Sequence, residues 1–117
     1  CSELKHRYPE VKIIGFPKGV GIGYVDYVRR VSIDGVAIDT SVSPAWAAKR
    51  LQNQVAVQGN LDPIVLIEGG EKMIEQARQI RESLQNGPFI FNLGHGVLPN
   101  TPVENLMKLA KYLKAPL

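Results

Sequence analysis

The chain has 117 residues, of which 44% are apolar, so its length allows one compact core and excludes two ordinary domains. Its 14 basic and 11 acidic residues give a net charge of +3 without a Lys/Arg-rich run, which argues against a nucleic-acid-binding arm. A single cysteine excludes an internal disulfide, two histidines are too few for a structural zinc cluster, and no apolar run is long enough to cross a membrane. A cytoplasmic protein is the default expectation.

The predicted elements alternate between strands and helices along the chain. CSELKHRYPEV at the N-terminus is typical of the end of a helix that leads into a strand, so we expect the chain to be part of a longer protein. Four nearly continuous apolar runs predict strands covered on both faces: residues 11–16, 35–39, 55–59 and 89–94. Helical spacing follows each run, over residues 24–31, 44–51, 73–84 and 103–113.

Several residues are typical of helix ends. Ser43-Pro44 predicts a cap followed by a first helical proline, and Asn86-Gly87 predicts the end of the third helix, with residues that tolerate the left-handed conformation. Thr101-Pro102-Val103-Glu104 predicts a capping box and a last helix that begins at Pro102. On that helix we expect an apolar stripe formed by Val103, Leu106, Met107, Ala110 and Leu113.

This β-α-β-α-β-α-β-α order predicts an α/β fold with a parallel sheet and right-handed crossovers. Two architectures satisfy it: an open doubly wound sheet, or about four βα units of a (β/α)8 barrel, which needs about 250 residues in all. In both, ligands bind at the carboxyl ends of the strands, so the residues after each apolar run are the candidate site.

Gly94-His95-Gly96 ends the fourth run, and two glycines would give the backbone unusual angles and leave room beside the imidazole. A histidine there can donate and accept hydrogen bonds, and when protonated it attracts a carboxylate. From spacing alone, His95 is equally consistent with a ligand contact and with a structural histidine.

Other loop residues favour structural roles. GVGIG at 19–23 lacks a complete phosphate-binding pattern and is more typical of a turn, and Lys18 before it is either an anion contact or a solvated side chain. Asp39 and Asp62 are more typical of turn caps than of ligand contacts, and Asn60 suits a tight turn or left-handed conformation. The aromatic residues Trp46, Tyr24 and Tyr27 lie on helical stripes and are expected in the core.

Four segments together carry a family resemblance. FPKG (16–19), AID (37–39), VQGNLDP (57–63) and FNLGHGVLPNTPVEN (91–105) resemble the carboxyl-terminal part of the uroporphyrinogen decarboxylase family. The resemblance covers nearly the whole chain. It implies a single partial domain, residues 1–117, that forms the C-terminal half of a (β/α)8 TIM-type barrel.

The resemblance also implies an activity and a set of contacts. Members of the family convert uroporphyrinogen to coproporphyrinogen by decarboxylating four acetate side chains, as cytoplasmic homodimers without a metal or organic cofactor. The histidine of their G-H-G motif corresponds to His95, a substrate-binding residue that faces a carboxylate. Lys18 and Asn60 are further candidates for substrate contacts, and no catalytic residue of the family matches a residue of this chain.

Two alternatives remain. A corrinoid-dependent methyltransferase of the same superfamily typically has a Gly-Cys zinc ligand after the last strand, where this chain has Gly94-His95. A non-enzymatic anion-binding domain with an open sheet would fold by itself as a cooperative monomer, whereas part of a barrel would expose apolar strands.

Overall fold

The structure, a computed structural model, describes residues 2–17 and 20–116, without the side chain of residue 22. In this part of the chain the strands are β1 (Ile14–Gly15), β2 (Gly35–Ala37), β3 (Ala56–Leu61) and β4 (Phe89–Leu93). The helices are α1 (Ser2–Arg7), α2 (Tyr24–Arg30), α3 (Pro44–Arg50), α4 (Pro63–Glu68), α5 (Gly70–Leu84) and α6 (Val103–Lys114). The predicted alternation is confirmed, and α4 is a short helix that the sequence patterns did not predict.

The four strands form one parallel sheet in the order β1-β2-β3-β4. A doubly wound sheet reverses its strand order at a switch point, whereas a (β/α)8 barrel adds each strand beside the preceding one. Right-handed crossovers between such consecutive neighbours place all their helices on the same face of the sheet. The strand order therefore favours a barrel segment over the doubly wound sheet, a choice that the sequence patterns left open.

The two faces of the sheet differ in what covers them. On β4, Phe89, Phe91 and Leu93 pack against the core, whereas Ile90 is 46% exposed and Asn92 is exposed. The expectation that every strand is covered on both faces is therefore wrong for β4, because its residues alternate between half-buried and exposed. The face that includes Ile90 is open, as expected for the inner surface of a barrel segment.

The core lies between the covered face of the sheet and the helices. Burying apolar side chains there supplies most of the driving force for folding. Its largest fully buried side chains are Tyr24, Ile38, Leu51, Leu61, Leu66, Met73 and Leu84. Trp46 and Tyr27 pack against this core, so the prediction that the aromatic residues of the helices are structural is confirmed.

The ends of α3 and α5 test two of the sequence predictions. Ser43 caps α3, because its side chain accepts a hydrogen bond from the Trp46 N–H at 3.4 Å, as predicted. α5 ends at Leu84, just before Asn86-Gly87 as predicted, but neither residue has a positive φ, so the left-handed conformation that they tolerate is not used. Instead the Gly87 N–H donates to the Leu84 carbonyl in a turn that needs no left-handed residue.

The predicted capping box of the last helix is also wrong. The Thr101 hydroxyl donates to the Leu98 carbonyl at 2.7 Å, so it serves the preceding turn. The helix begins at Val103, Pro102 is its N-cap, and no side chain caps it. The sequence contains the capping-box pattern, but the Thr101 hydroxyl is hydrogen-bonded to the Leu98 carbonyl and does not cap the helix.

The buried face of α6 differs from the predicted stripe. Leu109 is buried, and Leu106 and Leu113 pack against the core, whereas Val103 and Met107 are 65% and 67% exposed. The buried positions follow the spacing i, i+3, i+7, so the face is rotated from the predicted stripe. In residues 2–17 and 20–116, no helix combines the length and apolarity needed to span a bilayer.

Candidate substrate-binding cleft

The carboxyl ends of the four parallel strands lie at one edge of the sheet, and a cleft of about 300 Å³ opens there on the uncovered face. The register aligns Ala37 with Gln58 and Gln58 with Ile90, so these side chains share that face. The residues that line the cleft lie just after β1, on β2, β3 and β4, and in the segment after β4: Phe16, Ala37, Gln58, Asn92, Leu93, His95, Gly96 and Val97.

His95 lies at the rim of this cleft and is exposed. The Gly94 N–H donates to the Leu61 carbonyl at 2.8 Å and so continues the pairing of β4 with β3 up to the residue before His95. A Cβ at Gly94 would lie 2.7 Å from the Thr40 backbone nitrogen, so only glycine fits there. This close approach fixes where the His95 segment leaves the sheet.

The glycines beside His95 act differently from the sequence prediction. Neither Gly94 nor Gly96 has a positive φ, so the expectation of unusual backbone angles is wrong. Gly94 is required by its contact with the β2–α3 loop, while a Cβ at Gly96 would meet nothing within 4 Å. Space beside the imidazole, the other part of the prediction, is present at Gly96.

Asn60 does not line the His95 cleft. It is buried, and its Nδ2 donates to the carbonyls of Asp39 at 2.8 Å and Val42 at 2.6 Å. It lines a separate cavity of about 420 Å³ between the start of α3 and α5. Asn60 lies within β3 and has no positive φ, so neither the tight turn nor the left-handed conformation is present there, whereas the structural role is. Both amide hydrogens of Asn60 therefore hold the β2–α3 loop.

Asp39 follows β2 by two residues and lies in a buried hydrogen-bond network. Its Oδ1 accepts from the Ser41 N–H at 3.0 Å and from the Ser41 hydroxyl, and its Oδ2 accepts from the Tyr24 hydroxyl at 3.2 Å. Burial, opposed in part by the hydrogen bond with the Asp39 backbone, raises the pKa of Tyr24 to about 12. The prediction that Asp39 caps its turn is confirmed.

Two other loop predictions have the same outcome. Asp62 caps α4, since its Oδ1 accepts from the Ile64 N–H at 2.9 Å. Gly21–Gly23 form a 3-10 turn that leads into α2, with Gly21 at φ +54°, so the turn interpretation of GVGIG holds for its described residues. Lys18 lies outside the described residues.

Comparison with known proteins shows which family the chain belongs to. A family model described as Uroporphyrinogen decarboxylase (URO-D) matches residues 1–115. The chain belongs to the uroporphyrinogen decarboxylase family. Its fold is accordingly a fragment of the (β/α)8 barrel of that family, in agreement with the strand order.

Curated relatives named uroporphyrinogen decarboxylase show the same relationship. That of Rhodospirillum rubrum is 49% identical over 113 residues, which cover 97% of this chain and 32% of the relative. Those of Jannaschia sp. and Novosphingobium aromaticivorans are 50% and 41% identical over 90% and 97% of this chain. The chain spans about a third of the length of these relatives.

Sequence reasoning missed three residues of the family segment. Gln58 and Asn92 line the cleft, and the signal was available: each is the one polar side chain of its predicted apolar run, 55–59 and 89–94. Asn105, within the motif that carried the resemblance, donates from Nδ2 to the carbonyls of Leu66 and Ile67, both at 2.9 Å, and so satisfies the end of α4. No sequence signal links Asn105 to a helix nearly 40 residues earlier.

Proposed function

We propose that residues 1–117 form part of the single barrel domain of a uroporphyrinogen decarboxylase, which converts uroporphyrinogen III to coproporphyrinogen III by decarboxylating its four acetate side chains. The observation that carries the proposal is the position of His95, at the carboxyl rim of the sheet and beside a cleft on the open face. The names of the relatives support the decarboxylase over a corrinoid-dependent methyltransferase.

The cleft offers the two kinds of surface that a porphyrinogen needs. Apolar groups of Phe16 and Val97 suit the carbon framework of the macrocycle, and His95 suits a carboxylate at its periphery. A neutral imidazole donates one hydrogen bond to that carboxylate, and a protonated imidazole donates two and adds a favourable charge. Lys18 is proposed as a further cation for the same substrate.

Loss of carbon dioxide leaves an electron pair on the former acetate carbon, and a protonated pyrrole can accept it. Stabilising that charge requires groups placed around the pyrrole ring. The residues that line this cleft supply binding and orientation, so we propose that the 117-residue chain alone does not catalyse the reaction. The full-length protein is proposed to act in the cytoplasm as a homodimer, without a metal or organic cofactor.

A hybrid enzyme tests the proposal. In it, this chain replaces the matching 113-residue segment of the Rhodospirillum rubrum relative, and the porphyrinogen products are separated and quantified after oxidation. We expect decarboxylation by the hybrid and none by the isolated chain. His95→Ala in the hybrid should lower kcat/KM by about 5- to 150-fold, the equivalent of about 1–3 kcal/mol for a charge-assisted contact.

The chain provides a matched control in its other histidine. His6 is exposed on α1, and His6→Ala should leave kcat/KM within about twofold of the unchanged hybrid, as for a surface substitution. Equal losses for His6→Ala and His95→Ala would refute the role of His95. A hybrid without decarboxylase activity would refute the proposed function itself.

A further inference from the structure

Two carboxamides lie in the same cleft as His95. Gln58 is on β3 and Asn92 is on the adjacent β4, and both line the cleft. Gln58 is opposite Ile90 in the register, and Asn92 is two residues farther along β4, so both side chains belong to the open face. Their position on neighbouring strands makes a polar patch between apolar walls.

The hydrogen bonding of Asn92 determines which end of its amide is available. Its Oδ1 accepts a hydrogen bond from the Leu93 N–H at 2.8 Å, which leaves the Nδ2 hydrogens as donors toward the cleft. Gln58 is half-buried, and within residues 2–17 and 20–116 its carboxamide has no side-chain hydrogen bond. The Gln58 carboxamide can therefore donate a hydrogen bond to a ligand in the cleft.

The charges around the cleft indicate the chemistry of that partner. Among the described residues that line it, His95 is the only ionisable side chain and none is a carboxylate. Amide N–H groups and an imidazole, with no acidic residue among those that line the cleft, form a set of donors that suits an anion more than a cation. The apolar walls make a carboxylate attached to a hydrophobic framework a better fit than a free ion.

We propose that the Gln58 and Asn92 carboxamides donate hydrogen bonds to a carboxylate side chain of the bound tetrapyrrole, beside the carboxylate that His95 holds. This inference rests on the proposed function and deepens it. Gln58 and Asn92 are specificity-determining residues: they select a carboxylate at that position of the macrocycle. Because amides do not titrate, these two side chains keep their donors at every pH.

Isosteric variants of the hybrid enzyme test the donors. Asn92→Asp keeps an oxygen for the Leu93 N–H and replaces the donor with a second oxygen, so the loop is held while the substrate carboxylate is repelled. Gln58→Met removes the donor without adding charge. We expect KM to rise about tenfold or more for Asn92→Asp and about 2- to 13-fold for Gln58→Met, with kcat changed by less than about twofold.

Matched substitutions outside the cleft control for charge and stability. Gln85 and Asn86 are exposed after α5, and Gln85→Met and Asn86→Asp make the same chemical changes there. Both control variants should retain the KM of the unchanged hybrid. A purely structural role for Gln58 or Asn92 predicts a lower melting temperature or kcat with KM unchanged, and that result would overturn the inference while leaving the proposed function intact.

A direct binding measurement separates failure of the inference from failure of the proposed function. Uroporphyrin, a fluorescent tetrapyrrole with eight carboxylates, is titrated into the hybrid and its Kd is measured for each variant. The same increases in Kd as in KM are expected. If the hybrid binds uroporphyrin with equal Kd in all variants, the inference is wrong whether or not the hybrid is active; if it neither binds uroporphyrin nor decarboxylates, both proposals fail.

Discussion

Asn105 joins the start of α6 to the end of α4, and its removal is the sharpest test of how this segment is held together. Asn105→Ala leaves the carbonyls of Leu66 and Ile67 without the two hydrogen bonds, each 2.9 Å long, that the Asn105 Nδ2 now donates. Each bond contributes about 0.5–1.5 kcal/mol, so the expected loss is about 1–3 kcal/mol. A Cβ built on Gly69, which ends α4, would lie 2.6 Å from the Asn105 carboxamide, so the two segments are in close contact at this point.

Hydrogen exchange of the hybrid enzyme, followed by mass spectrometry, measures this loss locally. The amides of α4 and the first turn of α6 should exchange about 5- to 150-fold faster in Asn105→Ala, because local opening costs about 1–3 kcal/mol less. Asn100→Ala, an exposed substitution in the preceding loop, is the matched control and should leave exchange unchanged. Unchanged protection of α4 in Asn105→Ala would show that the two bonds contribute nothing and that packing alone positions α6.

Three other substitutions test contacts that position the sheet and its edge. Arg81→Ala removes the hydrogen bonds to the Tyr112 and Ala115 carbonyls at the end of α6, which are 3.3 and 2.6 Å long. Urea unfolding of the hybrid should show that the free energy of unfolding falls by about 1–3 kcal/mol. Tyr24→Phe removes the hydroxyl that is hydrogen-bonded to Asp39 and should lower the free energy of unfolding by about 1–2 kcal/mol. Because the pKa of Tyr24 is raised from 10.0 to about 12, this stabilisation is present below about pH 10 and is lost as the pH rises toward about 12. A difference in unfolding free energy that does not change with pH would contradict the assignment. Gly94→Ala should raise the KM of the hybrid at least about fivefold, because the added Cβ displaces the segment that carries His95. Gly96→Ala, where a Cβ meets nothing within 4 Å, should leave KM unchanged. Equal effects of the two substitutions on KM would contradict the importance of the close contact at Gly94.

Much of the fold could be predicted because it depends on local patterns. Strand and helix order, the Ser43 cap and the turn role of Asp39 all follow from residues within a few positions of one another. The predictions that failed involve competition with a distant or alternative partner. Thr101 bonds the preceding turn instead of capping α6, and Asn60 bonds the β2–α3 loop instead of adopting a left-handed turn.

By itself, the sequence determined the class of the fold and the family, because apolar periodicity reports burial and the GHG-to-NTPVEN motif is specific. It also determined that His95 follows the fourth strand at the edge where ligands bind. Only the tertiary structure decided that the strands run in consecutive order with one open face, that Gly94 is required by its approach to a neighbouring loop, and that Gln58 and Asn92 share the cleft of His95. The reason is physical: strand pairing and side-chain contacts between segments tens of residues apart depend on how the elements pack, and local periodicity carries no information about that packing.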